Sequence, residues 1–186
     1  MKVVLDACVL YPTVMREMLL GAAGAGLYTP LWSARILEEW ARAAGARLGE
    51  EGEAVARGEI ALAQMRWPRA IMRPRAGDMA RLWLPDENDI HVLAAAIAGS
   101  ADLIVTENRA DFPGHILAEE GLARQSADLF LLTLYHGAPA ALRQVATQVR
   151  GEAERLSGRP WPIRALLKKA RLPRLGKALE AEMPLR

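Results

Sequence analysis

"LPDENDIHVLAAAIAGSADLIVTENRADFP", Leu84 to Pro113, sets three acids ahead of an apolar helical run, follows it with a second apolar stretch of β type, and closes with further acids. The run from about Asn88 to Ala98 predicts a helix. Ala101 to Thr106 predicts a strand, because a short continuous apolar run between polar residues suits a strand covered on both faces. Near the N-terminus "VVLD", Val3 to Asp6, has the same form and ends in a carboxylate. Strands alternating with helices predict an α/β fold with a mainly parallel sheet. Ligands of such sheets bind outside the carboxyl ends of the strands. Asp6 and the Thr106-Glu107-Asn108 segment are therefore expected on one edge.

Outward from these strands, a helix is expected from about Thr13 to Ala25, and Leu27 to Trp32 reads as a connection. Ser33 is placed to cap a helix bearing Ile36, Leu37 and Trp40. A further helix is expected from Gly52 to Met65, and Ala70 to Pro74 suits a short second strand. Ser126–Tyr135, Pro139–Leu156 and Ile163–Glu182 read as helices, with "GRPWP" (Gly158 to Pro162) as a break. With 186 residues, 52% of them hydrophobic, the chain has material for one substantial core. The division expected is an α/β domain over residues 1–135 and a helical extension over 136–186. Most of the five tryptophans are expected in the core.

Several classes are excluded by composition. The single cysteine, Cys8, permits no internal disulfide, and His91, His115 and His136 are scattered without zinc-site spacing. Apolar runs are too short to span a bilayer, and Asp6 interrupts any signal-peptide core, so a cytoplasmic protein is expected. The formal net charge of +2 conceals an asymmetry. Residues 150–186 hold ten Lys/Arg against four Glu, a net of +6, which leaves the first 149 residues at −4.

Four acids can meet at the predicted edge. Asp6 ends the first strand, Glu39 lies beside the apolar side of its helix, Asp89 opens another helix, and Asp111 follows the later strand. Converging carboxylates repel unless a cation sits among them, and an all-oxygen donor set suits a hard divalent ion, Mg²⁺ or Mn²⁺. Each acid also has a simpler reading: Asp6 and Asp89 as ordinary helix-start acids, Glu39 as an i−4 partner of Arg35, Asp111 as a turn residue. The choices between Glu38 and Glu39, and between Asp86 and Asp89, stay open on helix phase alone.

Taken in order, "VVLDACVLYP", "SARILEEWAR", "LPDENDIHVLAAAIAGSADLIVTENRADFP" and "HILAEEGL" resemble the PIN-domain family, especially the VapC-type toxins of toxin–antitoxin systems. The resemblance covers roughly residues 1–135 and implies a three-layer α/β/α fold, with the last helices as a C-terminal extension. It implies that Asp6, Glu39, Asp89 and Asp111 are the catalytic acids, with Asp6, Asp89 and Asp111 holding Mg²⁺ or Mn²⁺ and Thr106 and Asn108 supporting them. The implied reaction is hydrolysis of RNA phosphodiester bonds to 5′-phosphate and 3′-hydroxyl products. The implied partners are RNA, a small antitoxin and a second copy of the chain. Arg16, Arg35 and Arg109 are candidates for phosphate contacts, and Lys168, Lys169, Arg171, Arg174 and Lys177 extend them. Cys8 departs from the polar residue many members carry there and is expected to be a small buried side chain, because a thiol is a poor Mg²⁺ ligand. Two other enzyme and signalling classes fit worse. A haloacid-dehalogenase-type phosphatase needs D-x-D where this chain has Asp6-Ala7-Cys8, and a receiver domain needs an acidic pair and a later strand lysine. A catalytically silent PIN domain that binds RNA or protein is the remaining alternative.

Overall fold

The computed structural model describes residues 1–182. It separates into two compact units, one formed by residues 1–11 and 29–125, the other by 12–28 and the described residues from 126 onward.

Five parallel strands form the sheet of the first unit in the order β3-β2-β1-β4-β5. β1 is Lys2–Leu5, β2 Thr29–Ser33, β3 Ile71–Met72, β4 Leu103–Val105 and β5 Ala123–Gln125. Val3, Val4, Leu5, Ile104 and Val105 are all fully buried. Successive strand residues point to opposite faces, so burial of every one requires cover on both sides, as in an α/β/α arrangement. That cover includes α3 (Ala34–Arg66), α5 (Ile90–Gly99) and α6 (Gly114–Glu119), and α1 (Ala7–Leu10) packs on α3. α5 lies across β1, β2, β3 and β4. Its C-terminal Gly99 makes this approach possible, since a Cβ there would meet Leu31 Cδ1 at 2.6 Å and Met72 Sδ at 3.0 Å.

The predicted connection over Leu27–Trp32 is in fact strand β2. Pro30 obscures it, because proline cannot donate to a ladder. The register shows why it is tolerated. Thr29 N–H donates to Met1 O on the β1 side and Trp32 N–H to Ala70 O on the other, so position 30 faces away from β1, ahead of the point where β3 begins to pair. The two helices expected after Ser33 run together as α3, broken only at Gly49, whose φ of 72° glycine alone adopts freely. Ser33 caps it by accepting from Ile36 N–H at 3.2 Å. β5, reading Ala-Arg-Gln, α4 (Ala76–Arg81) and α6 carry no strong periodicity and are additions to the expected elements.

In the second unit α2 (Thr13–Gly24) packs with α7 (Ala127–Gly137) and α8 (Pro139–Ser157), and α9 (Ile163–Lys169) pairs with α10 (Pro173–Glu180). The single helix expected over Ile163–Glu182 is two. Arg171 turns left-handed at φ 61°, and Leu172, ahead of Pro173, leaves the α region at ψ 53°. Proline disfavours helix in the residue before it and suits the first turn of the next. The tryptophan expectation holds for Trp32 and Trp40, each 1% exposed. Trp67 and Trp161 are half-buried. Trp83 is 63% exposed, because its neighbours Leu82 and Leu84 take the inward positions. Among the described residues no helix is long and apolar enough to cross a membrane.

Candidate metal centre

β1 and β4 are neighbours at the point where the strand order reverses, the position at which open parallel sheets present a crevice. Asp6 leaves β1 there, its backbone N–H donating to Val105 O at 3.1 Å. Thr106 leaves β4 beside it and donates its hydroxyl to Asp6 Oδ2 at 2.7 Å. Cys8 also addresses this oxygen, Sγ to Oδ2 3.0 Å, while Glu107 N–H donates to the sulfur at 3.3 Å. Burial first, then the charge of Asp6, pushes the Cys8 thiol up to about 12, so it keeps the proton it donates. The small-buried-side-chain reading of Cys8 is therefore incomplete: the thiol is part of the hydrogen-bonded frame around Asp6.

Facing this frame, the 3₁₀ turn Glu87–Asp89 leads into α5. Asp86 caps it, accepting at Oδ1 from Asn88 N–H at 2.9 Å and Asn88 Nδ2 at 3.0 Å. Carboxylate oxygens of Asp86, Asp89 and Asp111 lie within 4.8 Å of one another. Asn108 donates to Asp89 Oδ2 at 3.0 Å. Burial and the charges of Asp6, Asp86 and Asp111 raise Asp89 to about 6. The turn brings Asp86 and Asp89 to the same place.

Glu39 approaches from α3. Arg35 donates to it at 3.1 Å and reaches Asn88 O at 3.1 Å, tying it to the acidic turn. His91 Nε2 lies 3.0 Å from the same Glu39 oxygen but is not aligned for a hydrogen bond, and the ring is 3% exposed. Burial raises the Glu39 pKa, but His91 and Arg35 outweigh it, and the net shift is downward. Glu38 points elsewhere and pairs with Arg42 and Arg57 on the surface. His91 is a residue the sequence reading passed over. Its signal was slight, a lone histidine two positions past Asp89 on an apolar helix.

The basic candidates separate. Arg35 is about half exposed beside Glu39 and Arg109 is exposed two residues before Asp111, whereas Arg16 is 2% exposed in the second unit, with Glu17 at 3.6 Å. A cleft of about 320 Å³ beside α4 and α6, lined by Arg81, Trp83, His115 and Glu120 among others, contains none of the clustered acids.

The donor set is all oxygen, three of its members are mutually close, and one is held above its ordinary pKa by burial and then by its acidic neighbours. These are the features a hard divalent cation satisfies and an isolated surface acid lacks. The family model of the PIN domain matches residues 2–110, more than half of the chain. The protein belongs to the PIN-domain family. The match spans Asp6, Glu39, Asp86 and Asp89 and stops one residue short of Asp111, which the fold nonetheless brings to the cluster. No curated protein and no solved structure matches the chain.

Proposed function

We propose that this PIN domain is a metal-dependent ribonuclease, and that it acts as the toxin of a VapBC-type pair. The observation that carries the reading is the meeting of Asp86, Asp89 and Asp111 beside the strand edge from which Asp6 emerges. In this reading Asp6, Asp89 and Asp111 hold Mg²⁺ or Mn²⁺, with Asp86 beside them. Such an ion, when bound, polarises the phosphate, activates water and stabilises the departing oxygen.

The chain's own residues supply the order around it. Thr106 and Cys8 fix one oxygen of Asp6, and Asn108 fixes one of Asp89, so neither carboxylate must reorganise when substrate arrives. Glu39 is kept ionised by His91 and Arg35. Its role in this reading is to orient or deprotonate the attacking water. Arg35 and Arg109 neutralise phosphate charge at the rim. The family resemblance supports the finer parts of the proposal: a nuclease region over 1–135, an extension over 136–186, a small antitoxin partner, a homodimer and a cytoplasmic site of action.

Expression of the intact chain should arrest growth, and the purified protein should cleave RNA with Mg²⁺ or Mn²⁺ but not with EDTA. Asp6→Asn preserves shape and removes a ligand charge. It should lower cleavage by more than the 10- to 100-fold typical of residues that only support a ligand and restore growth. Equal cleavage and equal arrest by both proteins would remove the catalytic role of this edge.

A further inference from the structure

We infer that the α9–α10 hairpin of the second unit, with Trp161, forms a binding surface for single-stranded RNA. The inference rests on the ribonuclease reading for the identity of the polyanion. Between Ser157 and Leu179 the chain carries seven Lys/Arg and no Asp or Glu. Arg164 is paired across the hairpin with Glu180 at 2.8 Å. The other six, Arg159, Lys168, Lys169, Arg171, Arg174 and Lys177, are exposed and have no carboxylate partner among the described residues.

Their platform is fixed. Ile163, Leu166, Leu167, Leu172, Leu175 and Leu179 are all buried, so the apolar side of the hairpin faces the unit's interior and its cations face outward. The N-terminus of α10 is anchored by Asp128 of α7, which accepts from the backbone N–H of Arg174 and Leu175 at 3.1 and 3.0 Å. Trp161 is anchored by its indole N–H to Ser157 Oγ at 3.0 Å and its backbone N–H to Glu154 at 2.9 Å. Its ring lies against the Arg159 guanidinium at 4.3 Å and the Lys169 ammonium at 5.3 Å.

Unneutralised like charges on a compact element repel one another, which a bound polyanion relieves. The arrangement suits nucleic acid: several cations for successive phosphates, and one aromatic face on which a base stacks. A membrane surface fits poorly, because α9 and α10 keep their apolar side chains inward and offer none for insertion. The remainder of the chain, net −4 over residues 1–149, lacks such a surplus of cations.

The test uses the full chain carrying Asp6→Asn to prevent cleavage, and a fluorescein-labelled unstructured RNA of about 20 nucleotides, read by anisotropy across a KCl series. Lys168→Gln, Lys169→Gln, Arg174→Gln and Lys177→Gln together should weaken binding at least tenfold. They should flatten the slope of log K against log salt by about 3, from roughly 0.7 per single-strand phosphate contact. Trp161→Ala should weaken binding about fivefold or more with little change of slope. Both sets must retain the parent's melting temperature, which excludes a folding defect. Unchanged affinity and slope in the quadruple variant would overturn the inference. So would loss of binding to phosphatidylserine vesicles or to an acidic peptide with RNA binding intact. If the cations govern RNA affinity while the protein with Asp6 intact cleaves no RNA, the surface stands and the ribonuclease reading falls.

Discussion

Asp89 and Asp128 are both carboxylates withdrawn from bulk water, one in each compact unit, and their surroundings are opposite. Asp128 is 7% exposed and both its oxygens accept backbone N–H groups at the start of α10, where the helix dipole also favours a negative charge. Asp89 has one amide donor, Asn108, and faces three further carboxylates, which together with burial hold its pKa near 6. One acid is satisfied by the fold and the other is left wanting a cation. A fold that satisfies a buried acid so fully in one place and gathers carboxylates around Asp89 in another makes the second place one that could hold a cation.

The contrast breaks most decisively at Asp128. Replacing it with alanine leaves two backbone donors of α10 without partners, each costing about 1–3 kcal/mol when buried, and removes a favourable end charge. Asp128→Ala should therefore lower the stability of the second unit by about 2–4 kcal/mol in urea denaturation, with Asp128→Asn milder because one acceptor remains. A loss below about 0.5 kcal/mol, the range of ordinary surface changes, would mean that the carboxylate is not structural.

Cation binding sharpens the other side. An ion bound by the folded state alone stabilises it by mass action, about 2.7 kcal/mol at a hundredfold excess over Kd. Millimolar Mn²⁺ should raise the melting temperature of the wild type and leave that of Asp89→Asn and Asp111→Asn nearly unchanged. Identical curves with and without metal for the wild type would count against a preformed centre.

Without metal, the same substitution should act in the reverse sense. Asp89 has a folded pKa raised from 3.8 to about 6, so folding favours its protonated form. Its contribution to stability is fully present below the unfolded pKa and is lost as pH rises through about 6. Asp89→Asn removes that loss. In EDTA the variant should be more stable than the wild type at pH 7.5, by on the order of 1 kcal/mol after solvent screening, and the difference should vanish below pH 4. A variant less stable than the wild type at neutral pH would show that Asp89 is held by interactions its charge supports.

Much of this contrast was legible in residues and much was not. β1, β4 and the helix between Asp89 and Ser100 announce themselves because a strand or helix buried on all sides must be apolar throughout, and the acids at their ends then stand out. β2 hid behind Pro30, and β5 was too short and polar to signal itself. The site's acids were visible singly, but their company was not. Asp86 joins Asp89 through a 3₁₀ turn that no periodicity reveals, Cys8 reads as core until the sheet edge places it against Asp6, and a lone His91 carries no signal of its place beside Glu39. In the second unit the partnership of Asp128 with Arg174 and Leu175 spans 46 and 47 positions of sequence, beyond any local pattern.

The smallest effect belongs to Glu38, and it tests whether adjacency in sequence carries any of the function. Glu38 and Glu39 are neighbours on α3, yet helix geometry turns them about 100° apart. Glu38 therefore meets Arg42 at 3.0 Å and Arg57 at 3.0 Å in solvent, while Glu39 meets His91 and Arg35 next to the acidic turn. The two arginines beside Glu38 draw its pKa down, but solvent screens exposed pairs of this kind and leaves them little net effect on stability. Glu38→Gln should accordingly leave RNA cleavage within about twofold and the melting temperature nearly unchanged. Glu39→Gln, which removes the charge held at the acidic edge, should depress cleavage while leaving the fold intact. Cleavage rates of the two variants, measured side by side with the melting temperature of each, decide the matter. A large loss in Glu38→Gln with Glu39→Gln unimpaired would move the second acid of the site by one residue and turn the orienting face of α3 toward Arg57.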